Sequence, residues 1–454
     1  MTEERKNSLF RQKLELLILT QSEDVLARAK VAISNHFITF RTVKFEDTQK
    51  GHLGDLLKAQ LILLDQEEAE SLSSFESRVN EVLRLFPRSR VVTVMGPKEN
   101  LEGAQNPRVS PLSSFEFFST LKFEYICLYR CRSQYYQIQS SDLFSMTTIT
   151  FPTFIQLPLN QRYLAVAHSN TVLSDERFQR IAAAEGLFIK AKDSDMYFQY
   201  ISNYFDMSGI GLKKRARGLF LNLCYYSCYL NEGLLFDFAS KSEGHCASAY
   251  EKIKKLAEEL FQVMRTEENL WDVFRETLDD DFSLFWRAPW IATYATLIAV
   301  KSGQGDPMTT LLSGLLMDVG LYDLEEDLTR QYLLSKEKNI EEKMQKSFEK
   351  HPLLSLNRCL IKKVPMDEKV KSVLVCTHEK ANEKGFPNQV PAAQLPVEAQ
   401  LLMFAEKIDK EVLTTMKQTG VGFRFLKEKL WEAENTSLQN FSPEFLSAIA
   451  DALI

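Results

Sequence analysis

The sequence predicts a multidomain protein with an N-terminal α/β doubly wound domain, a small α+β module and a C-terminal all-α helical bundle. Three observations predict it. At 454 residues the chain is well beyond the roughly 250–300 at which a single core stops growing. From Leu14 to about residue 125, short apolar runs alternate with helical patterns. Beyond Gly211 the pattern is almost wholly helical, punctuated by Gly- and Pro-containing loops such as SGQGDP at 302–307. The boundaries read as 1–130, 141–206, a helical connector over 212–270, and 271–454.

The first domain reads strand LELLILT, helix EDVLARAKVAISNHF, strand ITFRTVKF, a helical stretch to Leu57, then strand QLILLD. Helix SRVNEVLRLF, strand RVVTVMG and the segment VSPLSSFEFFSTL follow. Buried strands between amphipathic helices specify a parallel sheet covered on both faces, and ligands of such sheets sit at the carboxyl ends of the strands. From Ser141 to Phe205 the pattern turns to alternation, as in FIQLPLNQRYLAVAHSN, with one helix capped by Ser174 and Asp175. Helical segments are then expected near 213–238, 246–276, 283–302 and 307–321.

Composition narrows the function classes. Fifty-five basic against 61 acidic residues leave a formal charge of -6, so the chain has no global attraction for a nucleic-acid polymer. The densest basic run, Lys213, Lys214, Arg215 and Arg217, reads as the solvated start of a helix. The apolar stretches near Leu219–Leu230 and Trp290–Val300 fall short of the roughly 18–20 residues of a membrane span, which argues for core helices and against membrane insertion. No secretory signal opens the sequence. Seven cysteines without a CxxC pair fit reduced thiols and a cytoplasmic location; Cys224 and Cys228, one turn apart, read as core.

The order of the first domain, with Asp65 ending the third strand and Ser110-Pro111 opening the last crossover, resembles a response-regulator receiver. The resemblance implies Asp65 as phosphoacceptor. Phosphoryl transfer to a carboxylate needs a divalent metal to neutralise charge, yet Thr20-Gln21 stand where receivers carry an acidic pair. Ser110 replaces the lysine, and Met95 the switch hydroxyl. The expectation is a pseudo-receiver that serves as a docking or dimerisation surface.

The most specific segment is THEKANEKGFP, Thr377–Pro387, followed by NQVPAAQLPVEAQLLMFAEKID. It resembles the HHExxDGxGYP signature of the HD-GYP family of bacterial cyclic di-GMP phosphodiesterases, with His378, Glu379, Gly385, Phe386 and Pro387 in register. LLSGLLMDVGLYD resembles the helix of the His-Asp pair, His351-Pro352 the HP motif, and FSPEFLSAIADAL the closing helix. Active relatives are implied to hydrolyse the dinucleotide with two or three metals that polarise phosphate and generate hydroxide, held by histidines and carboxylates suited to iron or manganese.

Position by position the ligand set is thinned. The resemblance places Ser283, Arg287, Met317, Leu321 and Thr377 at degenerate ligand positions, leaving Asp318, His351, His378 and Glu406, sufficient for one divalent metal or none. Arg287 puts a fixed positive charge where a cation normally sits and is expected to pair with Asp318, a carboxylate within an apolar helix that needs a partner. The ligand loop carries Asn382 for aspartate and Glu383 for glycine, both unfavourable to an anionic dinucleotide. His351 has the bland reading of a helix-junction cap and His378 that of a hydrogen-bonded surface residue. Two functions stay open: a scaffold or regulator that binds other signalling proteins in a cyclic di-GMP network, and a single-metal phosphodiesterase or cyclic di-GMP sensor. Either could act as a homodimer.

Overall fold

The computed structural model describes residues 14–33, 38–49, 54–67, 69–95, 106, 108–113, 120–127, 135–157, 162–183, 186–204, 207–236, 244–268, 270–276, 284–324, 342–419 and 436–453. Its first part alternates β1 (Leu14–Leu19), α1 (Glu23–Ile33), β2 (Ile38–Thr42), α2 (Phe45–Gln49), β3 (Leu61–Asp65), α3 (Leu72–Leu85), β4 (Arg90–Met95), β5 (Val109–Ser113) and α4 (Thr120–Tyr125). The strands form one parallel sheet in the order β2-β1-β3-β4-β5. Every residue of β3 is buried, which is why that strand reads as an unbroken apolar run rather than an alternation. Two cores lie on opposite faces, one including Leu16, Ile18, Leu63 and Val92, the other Leu17, Ile62, Leu64 and Val91.

One expectation fails here. Ser110 and Pro111 do not open a crossover; they lie inside β5, with Ser110 opposite Val92 and Pro111 opposite Thr93. A strand at the end of the sheet order has one row of backbone groups outside the ladder, so it accommodates a proline that lacks an N–H.

A four-stranded antiparallel sheet follows, ordered β6-β11-β8-β9, from β6 (Tyr135–Ile138), β8 (Thr153–Leu157), β9 (Arg162–Ala167) and β11 (Leu187–Lys190). The short strands β7 (Thr148–Ile149) and β10 (Thr171–Val172) pair separately. The sheet takes in β6, ahead of residue 141. Its helix α5 (Asp175–Ala182) is capped by Ser174, whose hydroxyl accepts from Arg177 N. Tyr136, Ile138, Leu187 and Ile189 on one face pack with Tyr197, Tyr200 and Ile201 of α6 (Ser194–Asn203).

The 27-residue helix α7 (Gly209–Leu235) begins the helical part. The basic run at its start has partners within the chain rather than only solvent: Arg215 pairs with Glu259 at 2.8 Å, Lys213 lies 3.8 Å from Glu267, and Lys214 sits over the Phe144 ring. Arg217 is buried and donates two bonds, 2.6 and 3.2 Å, to the carboxylate of Asp142, which also accepts from Tyr197 Oη at 2.6 Å. That buried pair ties α7 to the second sheet's layer. Cys224 and Cys228 are buried in the core.

Then come α8 (His245–Thr266), α9 (Trp271–Glu276), α10 (Leu284–Ser302), α11 (Pro307–Leu316), α12 (Glu342–Phe348), α13 (His351–Ile361), α14 (Glu368–Cys376), α15 (Val397–Thr419) and α16 (Pro443–Ile449). Ile291, Ile298, Leu311, Leu315, Val370, Leu374, Leu402 and Phe404 share the largest core. Among the described residues no helix is long and apolar enough to cross a membrane.

Candidate metal centre

The site is assembled from chain segments that caps and one close approach hold in place. Asp306 caps α11, its side chain accepting from Thr309 N, with Pro307 at the first helical position; Asp367 caps α14 through Val370 N. α11 stops at Leu316, so Asp318 does not lie within a helix as the sequence suggested. It heads the 3-10 turn Val319–Asp323. Gly320 in that turn presses on the start of α13: a Cβ there would stand 2.1 Å from His351 O and 2.5 Å from Ser355 N. Ser355 Oγ accepts from Gly320 N at 2.8 Å and donates to Met317 O at 2.7 Å. This contact is what carries Asp318 to His351.

Asp318 Oδ1 lies 3.6 Å from His351 Nε2 and 3.7 Å from His378 Nε2, and all three residues are buried. Both distances are too long for hydrogen bonds, and Asp318 Oδ1 and His378 Nε2 have no hydrogen-bond partner. His351 Nδ1 is 2.7 Å from Phe348 O; a carbonyl only accepts, so Nδ1 carries the proton, and in the neutral ring Nε2 turns a lone pair toward the carboxylate. Burial, with the neighbouring His378, pushes the His351 pKa down despite Asp318. Burial also opposes charge on Asp318, but the two imidazoles outweigh it and hold the carboxyl well below the usual range. An ionised Asp318 carboxylate and a His351 ring with an Nε2 lone pair are the forms in which these groups bind metals.

These residues fit a divalent cation. The three ligand atoms lie within 4.8 Å of one another; atoms bound about 2.1 Å from one tetrahedral ion are about 3.4 Å apart. Two imidazoles and a carboxylate form a set of intermediate softness. An aromatic cover closes the site. The Phe386 ring stacks on His378, centroids 5.1 Å apart at 13°, and meets His351 at 5.9 Å; Phe348 packs 4.6 Å from His351.

No family model matches the chain, and no curated protein matches it. Among solved structures, Bd1817, an HD-GYP protein from Bdellovibrio bacteriovorus, is similar over 70% of this chain and 99% of its own, at 17% identity and a TM-score of 0.43.

The remaining sequence candidates divide. Glu406 stands apart from the three converging ligands: its Oε2 is 3.9 Å from His378 Nδ1, on the other edge of the ring, and its Oε1 is 4.0 Å from Arg287 Nη2. At that distance it makes no hydrogen bond to the ring. Arg287 does not pair with Asp318, whose contacts are the two histidines. Its Nε lies 2.9 Å from Asp409 Oδ2 on α15. Asp409 was missed, although its i+3 spacing from Glu406 puts both on one helix face. Ser283 lies outside the described residues. Met317 and Leu321 are buried in the core, and Thr377 Oγ1 donates to Leu374 O within its own chain turn.

The loop candidates are mostly architectural. Glu379 is fully buried and its two carboxylate oxygens accept from Asn388 N at 2.6 Å and Val390 N at 3.1 Å, clamping the loop. Gly385 is required by space, since a Cβ would meet Lys380 N at 2.3 Å. Asn382 is exposed, donating to Asn440 Oδ1 and accepting from Lys384 N. Glu383 has φ +58°, a left-handed conformation that costs a non-glycine residue about 1–2 kcal/mol. Pro387 is half-buried beside Phe386.

In the first sheet, Asp65 ends β3 beside the point where strand order reverses, the usual ligand position. Its Oδ2 accepts from Thr20 Oγ1 at 2.8 Å, while Oδ1 has no hydrogen-bond partner. Burial raises the Asp65 pKa, partly offset by Thr20. Gln21 donates to Glu46 instead, and Met95 and Ser110 are buried. Arg78 Nη2 donates to Asp65 O at 2.5 Å and to Glu70 Oε2 at 2.6 Å, fixing the loop after β3.

Proposed function

We propose that this protein is a catalytically degenerate relative of HD-GYP proteins, acting as a scaffold or regulator in a cyclic di-GMP network, with one buried cation position that serves the fold. The observation that carries this reading is the sealing of the centre: Asp318 Oδ1 and His378 Nε2 are buried beneath a Phe386 ring stacked on the imidazole. A phosphodiester would have to displace that ring to reach the ligands. Arg287, paired with Asp409, supports it further, because a guanidinium stands at the family's first metal-binding position and stays charged. A bound divalent ion would supply charge neutralisation and Lewis acidity. This chain's own residues supply the holding: Asp318 the charge, His351 a lone pair fixed by Phe348 O, and His378 the third donor.

The test is metal content and hydrolysis of cyclic di-GMP by anaerobically purified protein. At most one ion per chain and no hydrolysis are expected. Two ions per chain, or hydrolysis that disappears in an Asp318→Ala, His378→Ala variant, would overturn the reading.

The convergence of three ligand atoms favours a second reading, a single-metal phosphodiesterase or cyclic di-GMP sensor. Titration calorimetry with the dinucleotide separates it: binding by wild type that is lost with Asp318→Ala supports a sensor. The first sheet fits a pseudo-receiver that docks other proteins, because Thr20 and Gln21 offer no metal carboxylate beside Asp65. Phosphorylation of Asp65 by acetyl phosphate with magnesium would contradict that part.

A further inference from the structure

The space around Asp318, His351 and His378 sets which ion can settle among them. Asp318 Oδ1, His351 Nε2 and His378 Nε2 are all closed off from water. The closure is aromatic. Phe386 stacks on the His378 ring with centroids 5.1 Å apart, Phe348 lies 4.6 Å from His351, and the two phenyl rings meet edge-on at 5.6 Å. The two imidazoles themselves cross at 4.5 Å. A phenyl ring has no lone pair to give an ion, so Phe386 and Phe348 fill the space beside the ligand atoms without adding a ligand.

We propose that this position takes a four-coordinate ion, zinc, in preference to the six-coordinate manganese or iron that the family resemblance implies. The inference rests on the reading of a buried cation position above, and two observations carry it. The first is spacing: Asp318 Oδ1 stands 3.6 Å and 3.7 Å from the two Nε2 atoms. Ligands of a tetrahedral ion bound at about 2.1 Å are about 3.4 Å apart. Neighbouring ligands of an octahedral ion at the same bond length are about 3.0 Å apart, so the site contracts less to hold the tetrahedral one. The second is room. Three protein ligands leave a tetrahedral ion one further position and an octahedral ion three. A water takes a share of about 30 Å³, so three waters need about 90 Å³ beside the ligand atoms, where the two phenyl rings stand. Zinc has no geometric preference from its d electrons and accepts the lower number. Zinc also exceeds manganese and iron in affinity for most ligand sets, so a decisive experiment reads the coordination number and the part the rings play in it.

Cobalt(II) reports that number directly, because four-coordinate cobalt absorbs strongly in the visible and six-coordinate cobalt only weakly. Titration of the metal-free full chain with cobalt chloride should raise a strong visible band that saturates at one ion per chain and is abolished by zinc. Phe386→Ala opens room for water. It should weaken the cobalt band and narrow the zinc-over-manganese preference about tenfold in competition titrations. Phe348→Ala makes the same test at the second ring, should circular dichroism show the first variant unfolded. A weak six-coordinate band in wild type, no cobalt binding, or a zinc preference untouched in a folded ring variant would each overturn the proposal. Those outcomes leave the degenerate-scaffold reading standing; it falls instead to two ions per chain or to hydrolysis of cyclic di-GMP.

Discussion

Asp65 in the first sheet and Asp318 in the helical bundle are carboxylates of nearly equal burial, 5% and 6% exposed, and their pKa values move in opposite directions. Asp65 has one neutral hydroxyl donor, so burial dominates and its pKa rises. Asp318 faces two imidazoles, which outweigh its own burial. Burial alone thus decides little; the neighbouring groups set in which direction a buried acid's pKa moves.

The comparison can be broken most forcefully through the ion pair behind the helical site. Arg287→Met removes the group that Asp409 meets at 2.9 Å, and a loss of about 3 kcal/mol in urea unfolding is expected. Gly320→Ala forces a methyl group into His351 O and should cost about 3 kcal/mol, among the larger effects of single substitutions. Asp318→Asn should lower manganese affinity about a hundredfold, equivalent to about 2.7 kcal/mol, as read by calorimetry. Asp65→Asn should leave that affinity unchanged, and equal losses in both variants would remove the distinction.

The smallest effect is the most direct test of sign. Because the folded pKa of Asp65 is raised, the folded state holds its proton longer than the unfolded chain. Stability associated with this group is therefore fully present at acid pH and falls as pH rises from about 4 through the folded value. Asp65→Asn should stabilise the protein at neutral pH, with the gain vanishing toward acid pH in denaturation curves.

Much of this was legible in the sequence. Apolar runs between amphipathic stretches located β1, β3 and β4 because parallel strands are buried on both faces. Asp318, His351 and His378 could be named because their segments resemble the motifs of a known family. What escaped depended on long-range contact. Nothing local says that Arg287 meets Asp409, 122 residues away, or that Gly320 is a contact surface for α13. Pro111 misled because a proline reads as a strand boundary until the strand's place in the sheet is known. Glu379, taken for part of a ligand loop, is a clamp because the backbone N–H groups of Asn388 and Val390 happen to return to it.

Helix α7, finally, is fastened at both ends by buried polar bonds. Near its start Arg217 holds Asp142 of the second sheet's layer; near its end Asn231 accepts from Tyr322, inside the turn that Asp318 heads. Twenty-seven residues make a rod about 40 Å long. The two anchors are 14 residues apart, about 21 Å along the axis, so a single straight helix joins the second sheet's layer to the turn that Asp318 heads.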